Sequence, residues 1–396
     1  MTTAERGGAG SPGRRRRIYL DHAATTPVDP RVLQEMLPYF VERFGNPSSR
    51  EHAHGWEAEE AVEIARGRVA ALFSVEARDV IFTSGATEAN NLALKGVCAQ
   101  AGRRGHLIVS GIEHSSVLQP ALSLEREGLE VTRIPPDRHG VVDPERIGES
   151  LREDTLLVSV VHGNNETGVI QDLPAIARRC RAAGVLFHSD ATQTAGKVPY
   201  PPLDDGPAAD LTTLSGHKLH GPKGAGALVI RGRARRARLR PLLEGGGQEH
   251  GVRSGTLNVP AIVGFGMACQ IAGAGLPEER ARLGSLRDRF EAGVRQAIGD
   301  LVVHGDGADR APHVSNLHVP GVEVDALMHR LHGVALASGS ACSSGRLEPS
   351  HVLLAMGCPP EEARNSLRCS VGRFTTAEEV DSVIEMLIDA VRVLRP

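Results

Sequence analysis

The stretch Ser215-Gly216-His217-Lys218-Leu219-His220-Gly221-Pro222-Lys223-Gly224 lies between two short apolar runs, Leu211 to Leu214 and Ala225 to Ile230. It reads as a strand, a tight polar loop and a second strand. A lysine held in such a loop loses basicity when it is desolvated or set beside another cation. Its amine then becomes a nucleophile toward carbonyl carbon. Taken alone, the loop reads equally as a glycine hairpin with two solvated lysines. Thr83-Ser84-Gly85-Ala86-Thr87-Glu88 joins another strand to a helix. Its glycine permits a tight turn, and the free N–H groups of the helix start form a phosphate site. Helix capping by Ser84 or Thr87 is a compatible alternative. Asp190 follows the apolar run Val185–His188. It falls just past a strand's carboxyl end, where open α/β sheets bind ligands. A carboxylate there can keep a pyridinium nitrogen protonated, and a helix N-cap is its plainer use.

Four further residues belong to the same search. His114 comes after the strand Leu107–Ser110, and Asn165, in His162-Gly163-Asn164-Asn165-Glu166-Thr167-Gly168, comes after another. Each is ordinary alone; polar residues at successive strand ends on one edge are not. Cys342 sits in Ala337-Ser338-Gly339-Ser340-Ala341-Cys342-Ser343-Ser344-Gly345, a small-residue loop that leaves a thiol exposed. Arg368 lies in the alternating stretch Asn365 to Ser370 and offers a guanidinium fork suited to a carboxylate. A loop cysteine without a role and a structural salt bridge are the plain readings of these two.

The elements that position these residues follow from the spacing of apolar side chains. Strands are expected at Ile18–Asp21, Asp79–Thr83, His106–Ser110, Leu129–Ile134, Leu156–Val161 and Val185–His188. Helices are expected at Pro30–Phe40, His52–Leu72, Ala89–Val97, Ser115–Glu127 and Leu173–Ala183. Strands alternating with helices predict an α/β domain with a largely parallel sheet. Helices at Pro260–Ala274 and Pro277–Ile298 lead to a second, C-terminal unit. That unit has a strand at Val314–Val319, a helix from Asp325, the Cys342 loop and a last helix at Ala377–Leu394.

With 396 residues, 41% hydrophobic and 23% charged, the chain is globular and too long for one core. Only 3% of residues are aromatic, so aliphatic side chains must fill that core. No apolar run is long enough to span a membrane. The six cysteines show neither a CxxC pair nor a metal-ligand spacing, so we expect free thiols, no metal and a cytoplasmic protein. The net charge of -3 conceals a basic start, with Arg14 to Arg17 in residues 1–17. That segment reads as a disordered tail. The run Arg231–Arg240 reads as a solvated charged face. Direct nucleic-acid binding is not expected, given the overall charge and the lack of an aromatic platform.

Taken together, the motifs resemble those of the pyridoxal 5'-phosphate (PLP)-dependent cysteine desulfurases. These belong to the class V aminotransferase family, in its nitrogen-fixation and iron–sulfur-cluster branch. The likeness runs from Tyr19-Leu20-Asp21-His22-Ala23-Ala24-Thr25-Thr26-Pro27 to Gly372-Arg373-Phe374-Thr375-Thr376. It implies the fold-type-I PLP-dependent transferase architecture. A large domain, residues 27–275, would hold a mostly parallel seven-stranded sheet. A smaller α+β domain would combine residues 18–26 and 276–396. It also implies a homodimer.

By the same resemblance, Lys218 binds PLP covalently, Asp190 holds the ring nitrogen, Gln193 the ring hydroxyl, and His114 stacks on the ring and moves protons. Ala86, Thr87, Ser215 and His217 bind the phosphate, with Thr256 reaching over from the partner subunit. Asn165 contributes to both cofactor and substrate, and with Arg368 and Asn46 it fixes the substrate carboxylate. Cys342 accepts the sulfur, in a loop like that of the long-loop group. The implied reaction takes L-cysteine to L-alanine and leaves a persulfide on Cys342. An acceptor protein then draws on it for iron–sulfur clusters, tRNA thiolation or DNA phosphorothioation. Alternatives on the same fold are a selenocysteine lyase, a C–S lyase or an aminotransferase with Cys342 unused. The chain departs from the pattern in its basic start, in His220 where Tyr is common, and in ending at Pro396. Housekeeping members of the family carry a longer tail that helps dock a scaffold.

Overall fold

The computed structural model describes residues 17–99, 104–203, 206–237, 239–338 and 348–395. Cys342 and Arg14–Arg16 therefore lie outside the described residues.

A seven-stranded sheet organises the chain. Its strands run, in spatial order, Val80–Thr83, Gly226–Ile230, Leu211–Ser215, Leu186–Asp190, Thr155–Ser159, His106–Ser110 and Glu130–Ile134. All are parallel except Gly226–Ile230, which runs against both neighbours. Alternate side chains enter opposite layers, as the pleat requires. Leu107, Val109 and Leu157 pack with Leu92 and Val117 of the helices Ala86–Cys98 and Ser115–Arg126. Ile108, Val158 and Phe187 pack with Ile176 of the helix Leu173–Ala182. The strands are buried from both sides, which explains their nearly unbroken apolar sequence. Farther along the same sheet, Phe82 and Leu214 meet Val62 and Phe265 from the helices Ala53–Leu72 and Val259–Ala274.

A second, antiparallel sheet joins Val302–Val303, Val314–His318, Ser366–Ser370 and Ala337–Ser338 in that order. Leu317 and Leu367 from it share an apolar cluster with Phe290, Val383 and Leu387 of the helices Leu276–Ala297 and Ala377–Leu394. Leu20 belongs to this cluster, and its carbonyl accepts a bond from the Ser370 N–H. The stretch at Leu20 is thereby fastened to the strand Ser366–Ser370. The last helix starts with a reciprocal cap between Thr376 and Glu379.

Two expectations need correction, and one helix was not expected at all. The helix expected at Pro30–Phe40 is two, Pro30–Met36 and Pro38–Val41. Pro38 has no N–H to continue the first. A helix at Pro144–Ser150, capped by Asp143, went unforeseen although an Asp-Pro start marks it. The basic run is a solvated face only in part: Arg235 and Arg240 are exposed, yet two of its arginines are paired. Arg233 pairs with Asp210 at 2.8 Å and Arg235 with Asp79 at 2.9 Å, both acids being mostly covered.

Candidate active site

The carboxyl ends of the parallel strands open on a cavity of about 530 Å³. Lys218 enters it from the 3-10 turn Gly216–Lys218, which directly follows the strand Leu211–Ser215. Its Nζ donates to the carbonyls of Ala23 and Ala24, each at 2.6 Å. Thr26 ties the same N-terminal stretch to the turn, its N–H and hydroxyl both donating to the His217 carbonyl. From beneath, the buried Lys197 donates to the Lys218 carbonyl at 2.9 Å and to the Gln193 carbonyl at 3.3 Å. Burial, with the nearby Lys218 charge, pulls the Lys197 ammonium down to about 7. The positive charge of Lys218 is thus felt in the buried layer beneath it.

Asp190 is the last residue of its strand, not the residue after it, and is nearly fully buried. Its Oδ1 accepts from the Thr192 N–H at 2.9 Å and its Oδ2 from Asn90 Nδ2 at 2.8 Å. The same Asn90 nitrogen donates to Ser116 Oγ, also at 2.8 Å. Ser116 in turn bonds to His114 Nδ1 through its hydroxyl at 2.8 Å and its N–H at 3.1 Å. A backbone N–H can only donate, so Nδ1 is the acceptor and the ring's proton sits on Nε2. Burial and the Lys218 charge lower the His114 pKa against the opposing pull of Asp190. The chain Asp190–Asn90–Ser116–His114 fixes both the position and the tautomer of the histidine.

The neighbouring Glu113 is fully buried. Its Oε1 accepts from Ser110 Oγ and the Val161 N–H, and its Oε2 meets no partner among the described residues. Burial, helped by the Asp190 charge, pushes its pKa from 4.5 to about 8. The folded chain therefore holds a proton there that the unfolded chain has already lost between those two values. Stability from this group is complete below 4.5 and falls as pH rises toward 8, by about 1.4 kcal/mol per pH unit for one proton. Glu113→Gln should flatten that part of the pH–stability curve in urea melts. An unchanged slope would show that Glu113 is ionised in the native state.

The helix Ala86–Cys98 begins at Gly85 without a side-chain cap, so its first N–H groups face the cavity beside Ser215 and His217. Gly85 takes φ 152°, and a Cβ on Gly226 would come within 2.6 Å of its Cα. The two backbones thus meet closely under a concave cradle. Free helix N–H groups attract an anion. His217, held at Nδ1 by Thr25, is kept neutral, its pKa drawn to about 4 by burial and three lysines. Glu88 holds the Ser84 N–H and pairs with Arg253 at 2.8 Å, fixing the loop from behind. The buried Thr192 hydroxyl also lacks a partner among the described residues and borders the cavity. An anion cradle, a strand-end carboxylate and a lysine fit a phosphorylated pyridine aldehyde.

Gln193 and Asn165 also border the cavity, as does Arg368 from the second sheet. Arg368 donates through Nη1 to the Asn165 carbonyl at 3.0 Å and through Nη2 to Asp21 at 2.8 Å. Its buried Nε has no partner among the described residues. The fork is therefore already half engaged by an internal carboxylate, the structural salt bridge that was the plainer reading of Arg368. Thr256 and Asn46 do not line the cavity of their own chain; the Asn46 side chain accepts from the Ser48 N–H in a local turn. Cys342 lies outside the described residues. Sequence reasoning missed Asn90, Ser116 and Lys197. A pair of asparagines inside an otherwise apolar helix was the one signal for Asn90.

A site of this construction defines an enzyme that carries pyridoxal phosphate on a lysine. The chain belongs to the class-V aminotransferase family: the description "Aminotransferase class-V" matches residues 18–383. It is 50% identical over 379 residues to a protein of Anaeromyxobacter sp. (strain Fw109-5) named cysteine desulfurase IscS, covering 96% of this chain and 93% of that one. A protein of the same name from Shewanella baltica (strain OS155 / ATCC BAA-1091) is 48% identical over 382 residues, with the same coverage. Among solved structures, a NifS-like protein superposes with a TM-score of 0.87 at 35% identity, over 95% of this chain and all of that one. DndA from Streptomyces lividans superposes with a TM-score of 0.75 at 42% identity, over 89% and 99%.

Proposed function

We propose that this chain is a PLP-dependent cysteine desulfurase that converts L-cysteine to L-alanine and leaves the sulfur as a persulfide on Cys342 for an acceptor protein. The observation that carries this reading is the meeting of Lys218, Asp190 and the uncapped helix start at Ala86 in one cavity. The near half-identity to proteins named cysteine desulfurase selects the reaction among those such a cavity could perform.

When bound, the cofactor supplies an electron sink for the charge left as substrate Cα loses its proton. Lys218 is the residue that anchors it and then carries that proton. Asp190, held by Asn90 and Thr192, keeps a negative charge fixed for the ring nitrogen, and Gln193 faces the ring hydroxyl. Ala86, Thr87, Ser215 and His217 hold the phosphate, with Thr256 of a second copy. Arg368 and Asn165, with Asn46, orient the substrate carboxylate. His114 offers its Nε2 proton. The Cys342 thiolate forms the new S–S bond as the Cβ–S bond breaks, and the electron pair of that bond leaves with the carbon fragment, which is protonated to alanine.

The active form is a homodimer in the cytoplasm. Leu37, Phe40, Val41, Phe44 and Trp56 form an apolar surface, each more than half exposed, of the kind a second subunit covers. The five described cysteines are free thiols, in keeping with a reducing compartment. No single described helix is long and apolar enough to cross a membrane. A division into residues 27–275 and a unit of 18–26 with 276–396 is supported by the apolar cluster that Leu20 shares with residues from Leu283 to Val391, although Val352, Leu353, Met356 and Ala363 pack with the large sheet.

One preparation tests these points. The purified protein should be yellow, have twice the mass of one chain by light scattering, and release alanine and sulfide from L-cysteine with a thiol reductant. Cys342→Ala should stay yellow and dimeric and lose sulfide release by roughly a hundredfold or more. Undiminished turnover in that variant would make the protein a direct lyase or an aminotransferase. A monomeric mass would remove the role given to Thr256.

A further inference from the structure

Away from the cavity, three side chains bring unlike donor atoms together. His304 Nδ1 lies 3.8 Å from Cys358 Sγ and 3.8 Å from a Glu362 carboxylate oxygen. All three atoms fall within 4.8 Å of one another. His304 follows the strand Val302–Val303, and Cys358 and Glu362 flank the start of the helix Pro360–Arg364. None of the three borders the Lys218 cavity. We propose that His304, Cys358 and Glu362 form a binding site for one divalent cation of the zinc class.

The hydrogen bonding around His304 prepares the ring for this role. Ser366 Oγ donates to the Glu362 carbonyl at 2.6 Å, so toward the ring it accepts, and His304 Nε2 lies 3.0 Å from it. Nε2 therefore carries the proton, and Nδ1 presents a lone pair to Cys358 and Glu362. An outer hydrogen bond that fixes tautomer and ring plane is the usual companion of a histidine that binds metal. The ring is also neutral, since burial, with the charge of His318 nearby, draws its pKa to about 4.

The spacing suits a small tetrahedral ion. Bonds of about 2.0–2.3 Å set ligand atoms roughly 3.3–3.7 Å apart, so small side-chain rotations close the triangle around an ion. Three protein ligands leave a fourth position for water. One nitrogen, one sulfur and one oxygen favour zinc, cobalt or ferrous iron over magnesium or calcium, which take oxygen. Cys358 and Glu362 are only partly buried, so an ion has access from solvent.

Without an ion, Cys358 is a thiol, its pKa pushed up to about 11 by burial and the Glu362 carboxylate. A thiol hydrogen bond is the rival account of the cluster. Binding would replace it: the S–H bond gives way to a sulfur–metal bond and the proton leaves to solvent, with no change of oxidation state.

The full-length protein with its cofactor, stripped by a chelator, should be titrated with cobalt(II). One equivalent per chain should give the visible bands of four-coordinate cobalt bound to thiolate, and zinc should displace it. Cys358→Ser and His304→Ala should each weaken binding at least about tenfold, while Cys342→Ala leaves the bands intact. Should His304→Ala fail to fold, Glu362→Gln at a partly exposed position supplies the same test. Absent bands, bands untouched by Cys358→Ser or Glu362→Gln, or bands abolished by Cys342→Ala would each overturn the proposal.

Discussion

Lys218→Ala should yield a folded protein that is colourless and turns over L-cysteine roughly 10²–10⁴ times more slowly than the parent chain. One side chain is assigned two tasks, anchoring the cofactor and moving the Cα proton, and no neighbour can take them over. Lys197 is buried beneath it, its Nζ spent on the carbonyls of Lys218 and Gln193, and Lys223 borders the cavity from the exposed end of the loop. Lys218→Arg should fail as well, because a guanidinium keeps the positive charge but is not a nucleophile at neutral pH. The fold should survive either change. The bonds lost include those from the ammonium to the Ala23 and Ala24 carbonyls, and the His217 carbonyl stays tied to Thr26. Absorbance, alanine release and a thermal melt on both variants decide the matter. A yellow Lys218→Ala protein, or one with ordinary turnover, would remove Lys218 from the centre of the reaction.

The same residues show what the sequence made legible. Elements with a strong apolar period were read almost to the residue. His106–Ser110 and Ala377–Leu394 came out as expected, and the helix expected at His52–Leu72 begins one residue later because His52 is its cap. Site residues that end a strand were readable for a topological reason. In a parallel sheet every strand exit faces the same edge, so Lys218, Asp190, His114 and Asn165 reach one cavity from stretches up to about a hundred residues apart. Supporting residues were not readable. Asn90 joins Asp190 to Ser116 only because the helix Ala86–Cys98 packs across the sheet and presents it there, and nothing in the local pattern encodes that meeting. The same is true of Asp21 on Arg368, a pair 347 positions apart. The cluster of His304, Cys358 and Glu362 escaped for a related reason. Its cysteine has no second cysteine at a ligand spacing, and its histidine comes from another strand.

Glu249→Ala should be the most destabilising single change among the described ion pairs, costing about 3–5 kcal/mol. Glu249 and Arg66 are both nearly fully buried and meet through two bonds of 2.8 Å. Around that pair every donor has a use. Arg66 Nη1 also reaches the Val80 carbonyl at 2.7 Å, its guanidinium lies 4.7 Å over the Phe82 ring, and Glu249 accepts the Phe82 N–H at 2.7 Å. Val80–Thr83 is an outer strand of the seven-stranded sheet, so this carboxylate satisfies an N–H on an edge no other strand covers. Glu249 even takes a left-handed backbone conformation, φ 48°, to stand there. Removing the carboxylate leaves the buried Phe82 N–H without its acceptor and the buried Arg66 with only the Val80 carbonyl and the exposed Glu63 carboxylate, while the desolvation already incurred is not recovered. The pair itself need not be stabilising relative to an apolar one. Arg66→Met with Glu249→Leu should therefore regain much of the loss, and Phe82 would still lack its acceptor, which sets a residual cost of about 1–3 kcal/mol. Urea midpoints of the parent, the single variant and the double variant measure both steps. A Glu249→Ala midpoint equal to the parent's would mean that water reaches Arg66. A double variant no better than the single would place the loss in the Phe82 N–H and the strained backbone instead of the stranded charge.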